Sequence, residues 1–333
     1  MSPEPRPVPA SIVLVSYNTR DLLLACIERL SREEIAGDCR IIVVDNASAD
    51  GSAEAVRQKF PDVCLIANDR NRGFGPACNQ AFAVAEGAAI VLLNPDAAVF
   101  PGSLDALLAA MDRSPRIGIV GGEVRNPEGG LEPSARAFPT PLTKFFTLSG
   151  LSSRFPHSRL FGRGDMGYAD FSKDIEADWV PGTFCALRRS MLDALGGFDE
   201  RFFLYYEETD LCRRARQAGW IVLFTPAAGV RHEGGASGKT HEGSLTFDPG
   251  GSQVLKFRLR SECLYYRKHH GIFGLFSAMI PEILWHAARF LVHLRPGAVH
   301  AAKRRHSRAV VTQALQALSD TRWGLVTPAA PWS

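Results

Sequence analysis

The 333-residue sequence predicts an α/β protein with a mostly parallel, Rossmann-like central sheet, flanking helices and a helical C-terminal extension. Three observations predict it. The first 125 residues alternate short β-branched runs with amphipathic stretches. The strand runs are continuously apolar, the pattern of strands covered on both faces. Beyond about residue 252 only helical periodicity remains.

Strands are expected at 11–16, 41–45, 63–67, 89–93 and 117–120, and helices at 19–31, 52–60, 74–85 and 103–112. Four strand–helix units in succession imply parallel pairing through right-handed crossovers. Residues 125–178 are rich in Pro, Gly, Ser and Arg and read as long loops with one short helix near 141–148. Regular structure returns at 179–187, followed by a helix at 189–195, a turn at Gly196-Gly197 and a helix at 206–218. Gly219 fits the left-handed position that closes this helix. A strand at 221–224 leads into a glycine-rich loop at 229–243.

Composition narrows the class. With 46% hydrophobic and 22% charged residues, the chain is neither disordered nor collagen-like. Seven cysteines occur singly with no CxxC pair, which suits a reducing compartment rather than a disulfide framework. Residues 1–9 lack the apolar run of a secretory leader, so a cytoplasmic protein is expected. Charge is unevenly spread. Residues 1–250 carry 26 Lys+Arg against 32 Asp+Glu, whereas residues 251–333 carry 12 against 3 and six of the nine histidines. A basic tail on an acidic body points to an anionic partner, either nucleic acid or a phospholipid surface.

In open parallel sheets ligands bind beyond the carboxyl ends of the strands. The four strand ends are followed by Ser16-Tyr17-Asn18, Asp45-Asn46-Ala47-Ser48, Asn68 to Gly73, and Asn94-Pro95-Asp96. Turn chemistry explains such residues at one strand end, but less well at all four. Asp96, on a proline-fixed turn, is a rigid mount for a divalent cation. Glu207-Glu208-Thr209-Asp210 opens a helix behind an aromatic run. Helix-dipole complementarity and pairing with Arg213 or Arg214 account for Asp210. The two glutamates point about 100° apart, so one can face a cleft as a general base. Val230-Arg231-His232-Glu233 follows a strand, and its imidazole with Asp96 would suit Mg2+ or Mn2+.

Gly234 to Thr240 imitates a phosphate-binding loop, but the first glycine of GxxxxGK[ST] falls at Glu233 and no helix pattern follows.

Together these residues resemble the inverting glycosyltransferases of family 2, with the GT-A fold, and within them bacterial dTDP-rhamnose-dependent rhamnosyltransferases. The likeness covers about residues 11–237. It rests on Val13 to Asn18, Val43 to Ser52, Asn71 to Asn79, Leu92 to Asp96 and Gly196 to Leu211, in that order. The resemblance implies a catalytic domain at 1–250, with a nucleotide-binding half at 11–125 and an acceptor half at 126–250, before the 251–333 extension.

It also implies roles. Ser16, Tyr17, Asn18 and Asp45 would hold the donor's pyrimidine and ribose; Asn71, Gly73, Asn79 and Asn94 would line the diphosphate. Asp96 and His232 would hold Mg2+ or Mn2+. Glu208, or else Glu207, would be the base, and Trp179, Gly182 and Asp210 would meet the donor or acceptor sugar. Two departures stand out: Asn94 replaces the first Asp of DxD, and Glu stands where the family more often has Asp as base.

The implied donor is dTDP-rhamnose or a UDP-sugar, and the implied acceptor a glycan or polyprenyl-linked glycan. For the basic tail, an interfacial helix on the inner face of the membrane and packing as a homodimer interface are the two readings. Nucleic-acid binding is disfavoured because the tail's aromatic residues fall at helical spacing among aliphatic ones. The remaining alternatives are a nucleotidyltransferase and a catalytically silent glycan-binding relative.

Overall fold

Ala10 to Leu14 are buried without exception, which fixes β1 (Ala10–Ser16) as an inner strand of the sheet. The computed structural model describes residues 9–32, 39–232 and 252–328. These fall into two compact units. The first is drawn from Met1–Ala137, Ala169–Asp199 and Glu208–Phe247, the second from Phe138–Tyr168, Glu200–Glu207 and Asp248–Ser333.

In the first unit the chain runs β1, α1 (Arg20–Leu30), β2 (Arg40–Asp45), α2 (Ser52–Lys59), β3 (Cys64–Ala67), α3 (Phe74–Val84) and β4 (Ala89–Leu93). Then come β5 (Ala97–Val99), α4 (Ser103–Asp112) and β6 (Ile117–Arg125). After the excursion to the second unit follow β7 (Ile175–Glu176), β8 (Phe184–Arg188), α7 (Arg189–Leu195), α8 (Glu207–Gln217) and β9 (Ile221–His232). The sheet order is β3-β2-β1-β4-β8-β6-β9-β5, with β7 paired to β9. β3, β2, β1 and β4 are parallel, as the strand–helix repeat predicts. β8 then enters antiparallel between β4 and β6, so the second half of the sheet is mixed. Ile12, Leu14, Ile27, Val43, Val91 and Leu107 are fully or almost fully buried in the core this sheet forms with its helices.

Two local features depart from the sequence reading. β9 does not stop at Phe224. Pro226 cannot donate to a ladder, and the register jumps from Gly122↔Thr225 to Glu123↔Gly229, a bulge after which the strand resumes to His232. The loop expected at 229–243 is therefore strand at 229–232, and its remainder lies outside the described residues, as do Glu233 and the phosphate-loop mimic. β5 and β7 are too short to leave a periodic signal.

The second unit contains α5 (Pro141–Leu148), α6 (Leu151–Arg154), α9 (Ser252–Val292, broken at Gly271 with φ 67°) and α10 (Ala298–Asp320). Phe138–Tyr168 and Glu200–Glu207 group with the C-terminal helices. One reason is Lys144 on α5, whose Nζ lies 2.5 Å from both Glu262 Oε1 and Glu282 Oε2 of α9. Arg258 completes the alternating quartet at 2.8 Å from Glu262 and 3.2 Å from Glu282. Phe202, Leu259, Tyr265, Leu275, Met279 and Leu318 form its apolar core. Tyr205 and Tyr206, at φ 70° and 68°, occupy the left-handed region that side chains disfavour, and the Tyr206 ring sits 5.1 Å from that of Tyr265.

Candidate active site

All four parallel strands end in polar loops, and those after β1, β2 and β3 are tied to one another. Ser16 pairs with Asp45 across the β1–β2 register, and Asn46 N donates to Ser16 O at 2.8 Å. Ser16 itself is buried, its Oγ 3.0 Å from Thr19 Oγ1, and Tyr17 is 8% exposed beside it. Asn18, at φ 53°, donates through its backbone to Ser48 Oγ and accepts from Ala49 N through Oδ1 at 2.7 Å. Its Nδ2 is buried without a hydrogen-bond partner. Asp45, 3% exposed, accepts from Ser48 N at 3.0 Å through Oδ2 and leaves Oδ1 equally unpartnered. Burial raises the Asp45 pKa; its bonds to Ser48 oppose that shift and the charge of Asp50 adds to it. A buried orphan donor and a buried orphan acceptor on neighbouring strand ends suit a polar, planar ligand edge.

The third strand end is organised by Asn46. Its Nδ2 donates to Asn71 Oδ1 at 2.9 Å and Gly73 O at 3.1 Å, while its Oδ1 accepts from Arg72 N and Asn68 Nδ2. Asn71 also accepts from Gly73 N, where φ 90° requires glycine. Asn79 is placed differently from Asn71: its amide pairs with both the N–H and the carbonyl of Phe198, at 2.9 and 3.0 Å, so it bolts the Gly197–Phe198 turn to α3.

Asn94, Pro95 and Asp96 connect β4 to β5. The β5–β9 pairing sets Ala97 opposite His232, and His232 Nε2 lies 3.3 Å from Asp96 Oδ1 and 3.5 Å from Asn94 Nδ2. The other ring nitrogen is 3.8 Å from Glu132 Oε2. Burial works against the imidazolium, but the bond to Asp96 and the charges of Asp96 and Glu132 outweigh it, so the His232 pKa is raised. Among the described residues no three His, Cys, Asp or Glu side chains converge as a closed metal site. The Asp96–His232 pair with the Asn94 amide is nevertheless a fitting donor set for Mg2+ or Mn2+, which take few protein ligands and complete their shells with water and substrate phosphate.

Glu208 approaches the same turn through residues 182–184. Asn94 N donates to Thr183 O at 3.0 Å, and a Cβ at Gly182 would lie 3.9 Å from Glu208 Cβ and 3.6 Å from the Phe74 ring. Glu208 Oε2 is buried and, among the described residues, makes no hydrogen bond. Burial raises the Glu208 pKa, partly opposed by hydrogen bonds to its own and the Thr209 backbone and by the charge of Arg136. Arg136 in turn lies 4.9 Å over the Trp179 ring, whose Nε1 donates to Ala137 O. Trp179 and Gly182 thus belong to the surroundings of Glu208. Glu207, 3% exposed, groups with the second unit instead.

Asp210, expected to meet a sugar, sits in an ion pair. It is completely buried and accepts from Arg214 Nε at 2.8 Å, while Arg214 also donates to Leu195 O and Gly197 O. A side chain enclosed in that way braces the α7–α8 connection and has no surface to offer a sugar.

Sequence reasoning passed over Asn46, Thr183, Glu132 and Arg136. Asn46 sits in the Asp45-Asn46-Ala47-Ser48 run, where its place beside Asp45 was a usable signal. Thr183 acts through its backbone carbonyl, and Glu132 and Arg136 lie in a stretch without periodicity.

A family model described as glycosyl transferase family 2 matches residues 11–196. The chain is 34% identical over 205 residues to the N-acetylglucosaminyl-diphospho-decaprenol L-rhamnosyltransferase of Mycobacterium tuberculosis, covering 58% of this chain and 66% of that relative. It is 37% identical over 59 residues to rhamnosyltransferase WbbL of Escherichia coli, 18% of this chain and 22% of that one. Among solved structures, mannosyltransferase PcManGT from Pyrobaculum calidifontis, in complex with GDP-Man and Mn2+, superposes with TM-score 0.55 at 16% identity, over 95% of this chain and 88% of that one. GalNAc-T7 with UDP, GalNAc and Mn2+ gives 0.55 at 16% identity over 96% and 57%. These likenesses establish the GT-A architecture of the fold.

Proposed function

The chain belongs to glycosyltransferase family 2, and on that premise we propose that it transfers L-rhamnose from dTDP-rhamnose to a hydroxyl of a polyprenyl-diphosphate-linked glycan, with inversion at the anomeric carbon. The 34% identity to an enzyme named for rhamnosyl transfer to a decaprenyl-diphosphate acceptor supports the sugar and the acceptor class. The observation that carries the chemistry is the unpartnered Glu208 carboxylate oxygen beside Gly182, one residue from the Thr183 that holds the Asn94–Asp96 turn.

In this reading the Asn18 amide and the Asp45 carboxylate meet the pyrimidine and ribose, and the Gly73 turn lets the diphosphate approach the backbone. Asp96 and His232, with Asn94, would hold Mg2+ or Mn2+, which supplies Lewis-acid stabilisation of the departing diphosphate charge. Glu208 takes the proton from the acceptor hydroxyl as it attacks C1 opposite the leaving group. Its raised pKa makes it a stronger base once ionised. One displacement inverts the configuration. Trp179 and Arg136, stacked on each other beside Glu208, would meet the sugar. A lipid-linked acceptor would put the reaction at the inner face of the membrane, with the protein peripheral to it.

The test is transfer from dTDP-rhamnose to an N-acetylglucosaminyl-diphospho-polyprenol with Mn2+ or Mg2+, the product's anomeric configuration being read by NMR. Transfer with inversion is expected. Retention, or turnover of UDP-hexoses with dTDP-rhamnose ignored, overturns the mechanism or the donor respectively.

A further inference from the structure

Helices of globular proteins turn their apolar stripe inward; the second half of α9 presents one outward as well. Phe273, Ser277, Ile280, Leu284, Ala288 and Leu291 are all exposed and fall at spacings of four and three, a single line along the helix. Phe273 is 83% exposed, and Leu284 and Leu291 63% each. Trp285 and Val292 widen the line on one side. The opposite face is already used: Leu275, Ala278 and Met279 are buried in the core, and Glu282 is ion-paired with Lys144 and Arg258. By length and composition α9 could cross a bilayer. The break at Gly271, the proline at 281 and the buried ion pair on the inner face argue for a helix that lies along an interface.

Charge selects the occupant. From Ile283 to Ser319 there is no Asp or Glu, against six cations: Arg289, Arg295, Lys303, Arg304, Arg305 and Arg308. Arg304 donates to the carbonyls of His293 and Arg295, which fixes the basic start of α10 at the end of the apolar line. A two-fold interface between copies brings the same patch onto itself, so this face would set like charge against like charge. An anionic lipid surface meets both features at once, taking the apolar side chains among its acyl chains and the cations at its headgroups.

We infer that the exposed line of α9, with the basic start of α10, docks the protein on an anionic phospholipid surface as an interfacial helix. The surface is argued from the second unit alone, so its test needs no turnover. Purified full-length protein is sedimented with phosphatidylcholine vesicles and with vesicles containing about 30 mol% phosphatidylglycerol. Binding to the anionic vesicles alone, weakening with added salt, is expected. Arg305→Ala with Arg308→Ala should lower partitioning by about 25-fold, at roughly fivefold per cation near the surface. Leu284→Ser with Leu291→Ser should lower it by about tenfold or more. These side chains are exposed, so thermal stability should stay unchanged in both variants. Equal binding to neutral vesicles, binding indifferent to salt, or partitioning unaltered in both variants overturns the inference. A concentration-dependent dimer abolished by Leu284→Ser overturns it too, and assigns the face to a second copy.

Discussion

Replacing Glu208 by Gln changes one atom and removes one charge, and the surroundings of that atom set the outcome. Oε2 is buried with no hydrogen-bond partner, and burial raises the pKa. As general base the carboxylate is worth about 10²–10⁴ in kcat, or about 3–5 kcal/mol of barrier. Donor KM should move little, because the group meets the acceptor proton. The ionised form is active, so kcat/KM of the wild type should fall as pH drops through the raised pKa. That acid limb lies above the ordinary carboxylate range and disappears in the variant. Stability should respond in the opposite sense. A folded-state pKa above the unfolded value means the ionised carboxylate weakens the fold once pH rises past the folded pKa. Glu208→Gln should therefore melt higher than wild type at neutral pH, with the difference closing as pH falls to the unfolded carboxylate value. Rhamnosyl transfer at saturating donor, a pH profile and paired thermal melts provide the readout. A variant that keeps kcat within about threefold of wild type, or that loses activity together with melting temperature, refutes the assignment.

If the proposed metal site is correct, Mn2+ with nucleotide should stabilise the wild type thermally and Asp96→Ala should abolish that gain; the variant should also lower the His232 pKa seen by NMR, since burial then meets less opposition. Arg214→Ala should lower stability in denaturant melts, because it removes an ion pair from the fully buried Asp210 carboxylate; Asp210→Asn should lower stability with donor KM unchanged, which a sugar contact would not allow. Gly121→Ala should destabilise by about 1–3 kcal/mol, its new Cβ falling 2.6 Å from Val180 Cβ. Gly182→Ala meets only ordinary contacts at 3.6 Å and beyond, so it should fold normally and lose activity by crowding the space beside Glu208.

What the sequence reveals follows the reach of its signals. β4, α4, α5 and α7 fall at their expected bounds because a local apolar period, with Pro141 behind Thr140 at the start of α5, defines each one. The antiparallel entry of β8 is invisible, since it depends on where a long connection returns the chain. His232 is a similar case. Pro226 reads as a strand end, yet a bulge carries β9 onward, and only the pairing with β5 brings the imidazole to Asp96. Residue types at strand ends announced the polar loops; they could not say that Asn79 and Asp210 face inward as braces while Asn18 and Asp45 keep unpartnered polar atoms.

The preponderance of amides over carboxylates at these strand ends has a physical rationale. Asn46 uses its donor toward Asn71 and Gly73 and its acceptor toward Arg72 and Asn68, and Asn68 pairs reciprocally with Gln80 at 2.9 Å. An aspartate in place of either would forfeit the donated bonds and add a charge to a site proposed to receive a diphosphate. Amides knit neighbouring loops in both directions while leaving the local potential to a few groups. The same logic suits Asn94 in place of a second acidic residue: it lies 3.5 Å from His232 and, among the described residues, leaves Asp96 the nearest carboxylate to that imidazole. In the proposed metal site this would keep an oxygen donor and reduce repulsion of the phosphates, leaving more of a cation's shell to the substrate. Cation affinity should then depend on bound nucleotide more steeply than in a site with two carboxylates.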